Sequence, residues 1–62
     1  MKATVSQLRR LLFDNSNLYA VIGEHEYTNS EARKALYDMP NQDTEYNHMV
    51  QGDCLHVWAV KA

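Results

Sequence analysis

The chain has 62 residues, a formal net charge of −2, and ordinary apolar and charged fractions of 45% and 23%, which indicates one small globular domain rather than a disordered chain or a fibre. The acidic balance disfavours a dedicated nucleic-acid-binding protein, since that class carries a basic surface. One cysteine allows no internal disulfide, and no apolar run approaches the ~20 residues of a membrane span. We therefore expect a single domain over residues 1–62, with neither signal peptide nor membrane span, in the cytoplasm.

Two segments of nearly the same sequence predict two helices. TVSQLRRLLFD begins at Thr4 and returns as TNSEARKALYD from Thr28. Thr4 is followed three residues later by Gln7, and Thr28 by Glu31, which is the spacing of the capping box. In that motif the threonine hydroxyl accepts from the backbone three residues on, and the Gln or Glu side chain reaches back to the cap. Both copies therefore predict helix starts with the same chemistry.

Each predicted helix carries one narrow apolar arc, at spacings of three and four residues. The arcs are Val5, Leu8, Leu11 and Leu12 in the first helix, and Ala32, Ala35, Leu36 and Met39 in the second. The first helix should end within residues 14–17, and the second just before Pro40, because proline disfavours helical backbone at the preceding residue. The repeat has two interpretations: a weak duplication of a helix-plus-hairpin unit, or convergence of two helices that cap and pack in the same way.

Strands are predicted after each helix. YAVI at 19–22 indicates a buried strand, GE at 23–24 indicates a turn, and the chain then returns at 26–27 as a very short second strand. The segment YNHMVQGDCLHVWAV predicts a hairpin in which Gly52 supplies the positive φ of a type II′ turn, with Val50 opposite Leu55. The predicted fold is α+β, in the order α-β(-β)-α-β-β. Two amphipathic helices pack on one face of a three- or four-stranded, mostly antiparallel sheet.

The side chains that could bind a metal or attack a substrate are few. They are His25, His48, His56 and Cys54. A structural zinc site needs four ligands, usually in close pairs, and the hairpin register sends His48 and His56 to opposite faces. We therefore expect no metal and no cofactor. Cys54 and His56 share a face, which leaves a small thiol-dependent protein as one hypothesis, but a chain of this size has little room for a catalytic cleft and we expect no enzyme.

Four basic residues occupy equivalent places on the two helices, whereas acidic residues gather in the turns. The basic residues are Arg9, Arg10, Arg33 and Lys34. They favour the binding of an acidic protein partner or of phosphates on the helical face. A nucleic-acid-associated regulator is therefore an alternative function. The plainer interpretation is the solvated side of two amphipathic helices. A helix-turn-helix is excluded, because a strand separates the helices.

The last strand is apolar on both faces. Leu55, Val57 and Ala59 alternate with Cys54, His56, Trp58 and Val60, and Met49 of the preceding strand joins the second set. Two short helices cover only one face of a small sheet, and an exposed apolar face with Trp and Met is typical of protein contacts. The alternative is a strand buried on both sides within the monomer.

The sequence thus favours a non-enzymatic protein-binding module, such as the small accessory proteins or inhibitors that phages and mobile elements encode. Its contact residues would be Met49, His56, Trp58 and Val60, against another protein or a second copy in a homodimer. Nucleic-acid binding through the basic helix residues and thiol chemistry at Cys54 are the alternatives. No motif of a known family is recognisable.

Overall fold

A computed structural model describes residues 1–60. In chain order its elements are β1 (Lys2–Thr4), α1 (Val5–Asp14), β2 (Tyr19–Ile22), β3 (His25–Tyr27), α2 (Asn29–Tyr37), β4 (Glu45–Gln51) and β5 (Cys54–Ala59). The five strands form one sheet in the order β1-β4-β5-β2-β3, and the two helices pack on one of its faces. The predicted α+β class is confirmed. Neither helix within residues 1–60 is long and apolar enough to cross a membrane.

Both helices begin with the predicted capping boxes. The Thr4 hydroxyl accepts from the Gln7 N–H at 3.2 Å, and the Gln7 side chain accepts from the Thr4 N–H at 2.8 Å. The matching distances between Thr28 and Glu31 are 3.3 Å and 3.1 Å. Hydrogen bonds from the Thr28 backbone and then from its side chain lower the pKa of the Glu31 carboxyl, because they favour its charged form.

The carboxyl ends of the helices are held by amide side chains from other parts of the chain. Asn29 Nδ2 donates to the carbonyls of Leu12, Asn15 and Leu18 at 3.0, 3.2 and 2.8 Å, and Gln42 Nε2 donates to those of Leu36, Tyr37 and Met39 at 2.9, 3.4 and 2.8 Å. Each amide thereby satisfies carbonyls that a helix end leaves without an internal partner. Met39, placed by the sequence on the apolar arc of the second helix, lies beyond its end and packs on the core.

The sheet has more strands than the three or four predicted, and it is mixed. β1 pairs antiparallel with β4, with Lys2 opposite Asn47. β2 pairs parallel with β5, with Tyr19 beside Cys54. A three-residue strand is too short to leave a periodic pattern, and alternation along a strand does not reveal which neighbour it will pair with. These two features therefore appear only in the folded structure.

The predicted hairpin turn between β4 and β5 is confirmed. Val50 lies opposite Leu55, and Gly52 has φ of 61° whereas Asp53 has no positive φ, which fits a type II′ turn. The earlier GE turn is built in the same way, since Gly23 has φ of 64° and joins β2 to β3 through two residues.

The core lies between the helices and one face of the sheet. Its buried residues are Ala3, Val5, Leu8, Leu12, Leu18, Ala20, Ala32, Leu36, Leu55 and Val57. The helices therefore cover the face of β5 that carries Leu55 and Val57. No helix of the described residues lies over the face that carries His56 and Trp58.

The repeated segments occupy symmetric places in the fold. The strand order is β1-β4-β5-β2-β3. Exchanging β1 with β3 and β4 with β2 gives the same order read from the opposite edge of the sheet, with β5 in the centre. β4 runs antiparallel to β5 whereas β2 runs parallel to it, so the exchange also reverses strand direction. This is the relation of a pseudo-two-fold axis normal to the sheet through β5. It relates the unit β1-α1-β2 to the unit β3-α2-β4.

Candidate functional site

The sheet face turned away from the helices is apolar along its middle. We call this surface the open face. It is formed by Tyr19, Val21, Met49, His56 and Trp58, and Val60 follows at the end of β5. Met49 lies directly opposite His56 across the antiparallel pair, and Val21 lies beside His56 on the parallel side. Residues paired in this way share a face, so the three central strands contribute to one surface.

Three of the four contact residues predicted from sequence, Met49, His56 and Trp58, are on the open face, and Val60 lies just beyond the end of β5. Met49 is 50% exposed, Trp58 43% and Val60 36%, and His56 is half-buried between its neighbours. Tyr19 and Val21 join the same surface but were not among the predicted contact residues. The sequence indicates YAVI as a buried strand, whereas in the structure Ala20 is buried and Tyr19 is exposed.

Polar residues flank the apolar strip at both edges of the sheet. Lys2, Glu45 and Asn47 lie on β1 and β4 at one edge, and Glu26 lies on β3 at the other. An apolar centre with a polar surround is the usual composition of a protein–protein contact surface.

The open face continues around the edge of β4. β1 pairs with part of this edge, and the last backbone hydrogen bond runs from the His48 N–H to the Met1 carbonyl at 2.9 Å. Beyond that point lies an apolar depression of about 700 Å³, the edge depression, lined by Met1, Leu11, His48, Met49, Val50 and Trp58. Within residues 1–60, the His48 Nδ1 atom is buried with no hydrogen-bond partner. Met49 and Trp58 belong to both surfaces, so the two form one continuous apolar region.

Cys54 lies at one end of the open face but is itself 6% exposed. Its neighbour across the parallel pair is Tyr19. Interaction with the Cys54 thiol, hydrogen bonding first, raises the pKa of the Tyr19 hydroxyl. The sequence placed Cys54 and His56 on one face, and the strand geometry agrees, but burial keeps the thiol away from an outside reactant.

A second depression lies on the opposite side of the molecule, between the two helices. This interhelical groove has a volume of about 570 Å³ and is lined by four equivalent pairs: Ser6 and Ser30, Arg9 and Arg33, Arg10 and Lys34, and Phe13 and Tyr37. All four basic residues singled out in the sequence therefore converge on it. The sequence does not single out the serines, although the repeat aligns them. Phe13 and Tyr37 fall off the apolar arcs at the same angle on each helix, which is consistent with their place in the groove.

Two of the three guanidiniums in the groove, those of Arg9 and Arg33, each lie over an aromatic ring of the other helix. Arg9 lies 4.7 Å from the centre of the Tyr37 ring, and Arg33 lies 5.9 Å from that of Phe13. The crossed contacts show that the helices run antiparallel, as the pseudo-two-fold axis requires. The contacts hold the Arg9 and Arg33 guanidiniums in place beside two exposed rings. Phe13 is 68% exposed and Tyr37 is 67% exposed.

The two halves of the groove differ in how their arginines are bonded. Arg9 Nη1 donates to Gln42 Oε1 at 2.8 Å. Within residues 1–60, Arg33 Nε is buried and has no acceptor. Arg10 pairs with Asp14 at 3.1 Å, but both side chains are more than half exposed, so the pair neutralises the groove only weakly.

The histidines are spread over the molecule. His48 lies opposite Val57, and His56 opposite Met49, so their side chains leave the hairpin on opposite faces as the register predicted. No group of three or more His, Cys, Asp or Glu side chains in the described part of the chain is placed to hold a metal ion.

No family model, no curated protein and no solved structure matches this chain. The functional interpretation therefore depends on the geometry of the open face and of the interhelical groove.

Proposed function

We propose that the protein is a non-enzymatic protein-binding module, and that its contact surface is the open face together with the edge depression. The observation that carries the proposal is the uncovered apolar strip: Met49 and Trp58 are half exposed on a sheet face that no helix of residues 1–60 covers. Trp is the residue type most enriched at binding hot spots, and Met adapts its shape to a partner.

A specific contact would use only a modest share of the surface of the domain. A standard interface buries roughly 800 Å² on each partner, and the described chain exposes 4380 Å², so such a contact would use about a fifth of the surface. A domain of ~60 residues buries only about 60% of what its unfolded chain exposes, and covering a further apolar face therefore adds stability. The partner is another protein or a second copy of the chain, and an accessory or inhibitory role fits action by contact alone.

Thiol chemistry has less support. Cys54 is buried, and neither the edge depression nor the interhelical groove includes it. A catalytic cysteine needs an accessible, activated thiolate beside a substrate cleft. We therefore assign no reaction to the Cys54–His56 pair.

The experiment places a charge on the open face. Met49→Glu puts a carboxylate in the centre of the proposed contact, where an unpaired buried charge is strongly unfavourable. Phe13→Glu is the matched control, because it alters a similarly exposed apolar residue on the helical side. Circular dichroism should show both variants folded.

Sedimentation over a concentration series should then show whether the wild-type chain forms dimers that Met49→Glu abolishes and Phe13→Glu retains. If the partner is a different protein, the wild type and the two variants each serve as bait. The partner identified with the wild type should be lost with Met49→Glu and retained with Phe13→Glu. A monomeric wild type whose captured partners are the same for both variants would exclude the open face as the contact surface.

A further inference from the structure

We propose that the interhelical groove is a second, independent site, and that it binds a compact ligand with two phosphate groups. The open face is on the other side of the molecule, so this site is separate from the proposed protein contact.

The symmetry of the groove gives two equivalent half-sites. Each half has one arginine stacked on an aromatic ring of the opposite helix, Arg9 on Tyr37 and Arg33 on Phe13. Arg9 and Phe13 are four residues apart on α1, so the two halves are separated by about 6 Å along the helices at 1.5 Å per residue. Two anionic groups at a similar separation would each meet one guanidinium.

The charge and the donors of the groove fit phosphate. Four cations line it, and two phosphate monoesters carry about −3 to −4 at neutral pH. Arginine presents a planar fork of N–H donors that matches phosphate oxygens, and a serine hydroxyl lies in each half as a further donor. Arg33 Nε is buried without an acceptor in the described chain. A buried donor without an acceptor is costly, so a shift of the Arg33 side chain that brings Nε to a phosphate oxygen would be favourable.

Acidic residues favour a compact ligand over a long polyanion. Asp14 ends α1 beside Phe13, and Asp38 follows Tyr37 at the end of α2, so a carboxylate lies near each end of the groove. The whole chain has a net charge of −2. A nucleic-acid strand that extended past the groove would meet these carboxylates, whereas a ligand of two phosphates stays among the four cations.

The test is a titration of the full chain with three probes, followed by calorimetry and amide NMR shifts. The probes are a nucleoside 3′,5′-bisphosphate, inorganic phosphate, and a single-stranded oligonucleotide of about 12 nucleotides. The bisphosphate should shift the amides of α1 and α2 and bind at least about tenfold more tightly than inorganic phosphate, because it occupies both half-sites. The oligonucleotide should bind no more tightly per site than the bisphosphate.

Three variants separate the groove from general electrostatics. Arg33→Gln should weaken bisphosphate binding about tenfold or more, since it removes a charged hydrogen-bond donor. Lys2→Gln is the matched control, because it removes one positive charge from the exposed side of β1 and should change the affinity little. Trp58→Ala on the open face should leave the affinity unchanged. If Arg33→Gln disturbs the fold, Lys34→Gln on an exposed side chain repeats the test.

Equal binding of bisphosphate and inorganic phosphate, or equal losses for Arg33→Gln and Lys2→Gln, would overturn the proposal. So would tight binding of the oligonucleotide without binding of the bisphosphate, a result that would instead favour an extended nucleic-acid ligand. If millimolar bisphosphate shifts no amide signal of α1 or α2, the groove does not bind this ligand and the proposal is wrong.

Discussion

Replacing Trp58 by alanine separates a contact residue from a core residue. A Trp side chain has roughly 250 Å² of surface, and 43% of Trp58 remains exposed, which leaves about 110 Å² for a partner to cover. At about 25 cal/mol per Å² this burial contributes about 2.7 kcal/mol. The Kd for a partner should therefore rise roughly a hundredfold, and more for a homodimer, in which two copies of Trp58 are lost.

The same change should have a smaller effect on the isolated domain. Trp58 is outside the buried cluster, which is centred on Leu8, Leu12, Leu36 and Leu55. A domain of this length has a total stability of about 3–9 kcal/mol, so a true core Trp, at about 3–5 kcal/mol for its removal, would unfold it or nearly so. We expect Trp58→Ala to remain folded.

Sedimentation equilibrium and urea unfolding, followed by circular dichroism, measure the two quantities on the same samples. Phe13→Ala is the control, because it removes an exposed aromatic side chain from the helical side. A folded Trp58→Ala protein with wild-type association would refute the contact assignment. An unfolded Trp58→Ala protein would show that the packing around Trp58 stabilises the monomer more than its exposure implies.

Three further predictions concern the fold. Asn29→Ala should lower the free energy of unfolding by about 2–3 kcal/mol in urea melts, because two carbonyls at the end of α1 and the Leu18 carbonyl before β2 lose their donor. Asn17→Ala, which removes one exposed hydrogen bond, should cost less than about 0.5 kcal/mol. Equal costs for the two variants would contradict the assignment. Glu31→Gln should be less stable than wild type at pH 7, and the difference should be smaller at pH 3. The folded pKa of Glu31 is lowered, so its contribution to stability is present above the unfolded pKa and is lost as the pH falls through the folded value. An unchanged gap between the two proteins at the two pH values would show that the carboxylate does not act through the cap. Gly52→Ala should lower the free energy of unfolding by about 1–2 kcal/mol in the same melts, because a φ of 61° is unfavourable for an L-residue. No neighbouring atom is near enough to clash with the added methyl group, so the cost comes from the backbone alone. A wild-type melt would mean that the turn adopts another conformation.

Local patterns in the sequence were enough to predict both helices and the strands β2 to β5, but not β1. The capping boxes depend on residues three apart, the hairpin turn on one glycine and its neighbour, and the faces of β5 on alternation along a single strand. Each pattern acts over a few residues, so each survives in the fold, from the Thr28 cap to the pairing of Val50 with Leu55. The gathering of Met49 with Trp58 on one face followed from the same register.

Pairings between distant segments were decided only by the tertiary structure. β1 has three residues and no periodic pattern, and the parallel pairing of β2 with β5 joins residues more than thirty positions apart. The sequence aligned Arg9 with Arg33 but did not show that each would stack on the aromatic residue of the opposite helix. Such contacts depend on how the helices cross the sheet, and on which face of it they cover, because packing energy is shared among many residues rather than encoded in one segment.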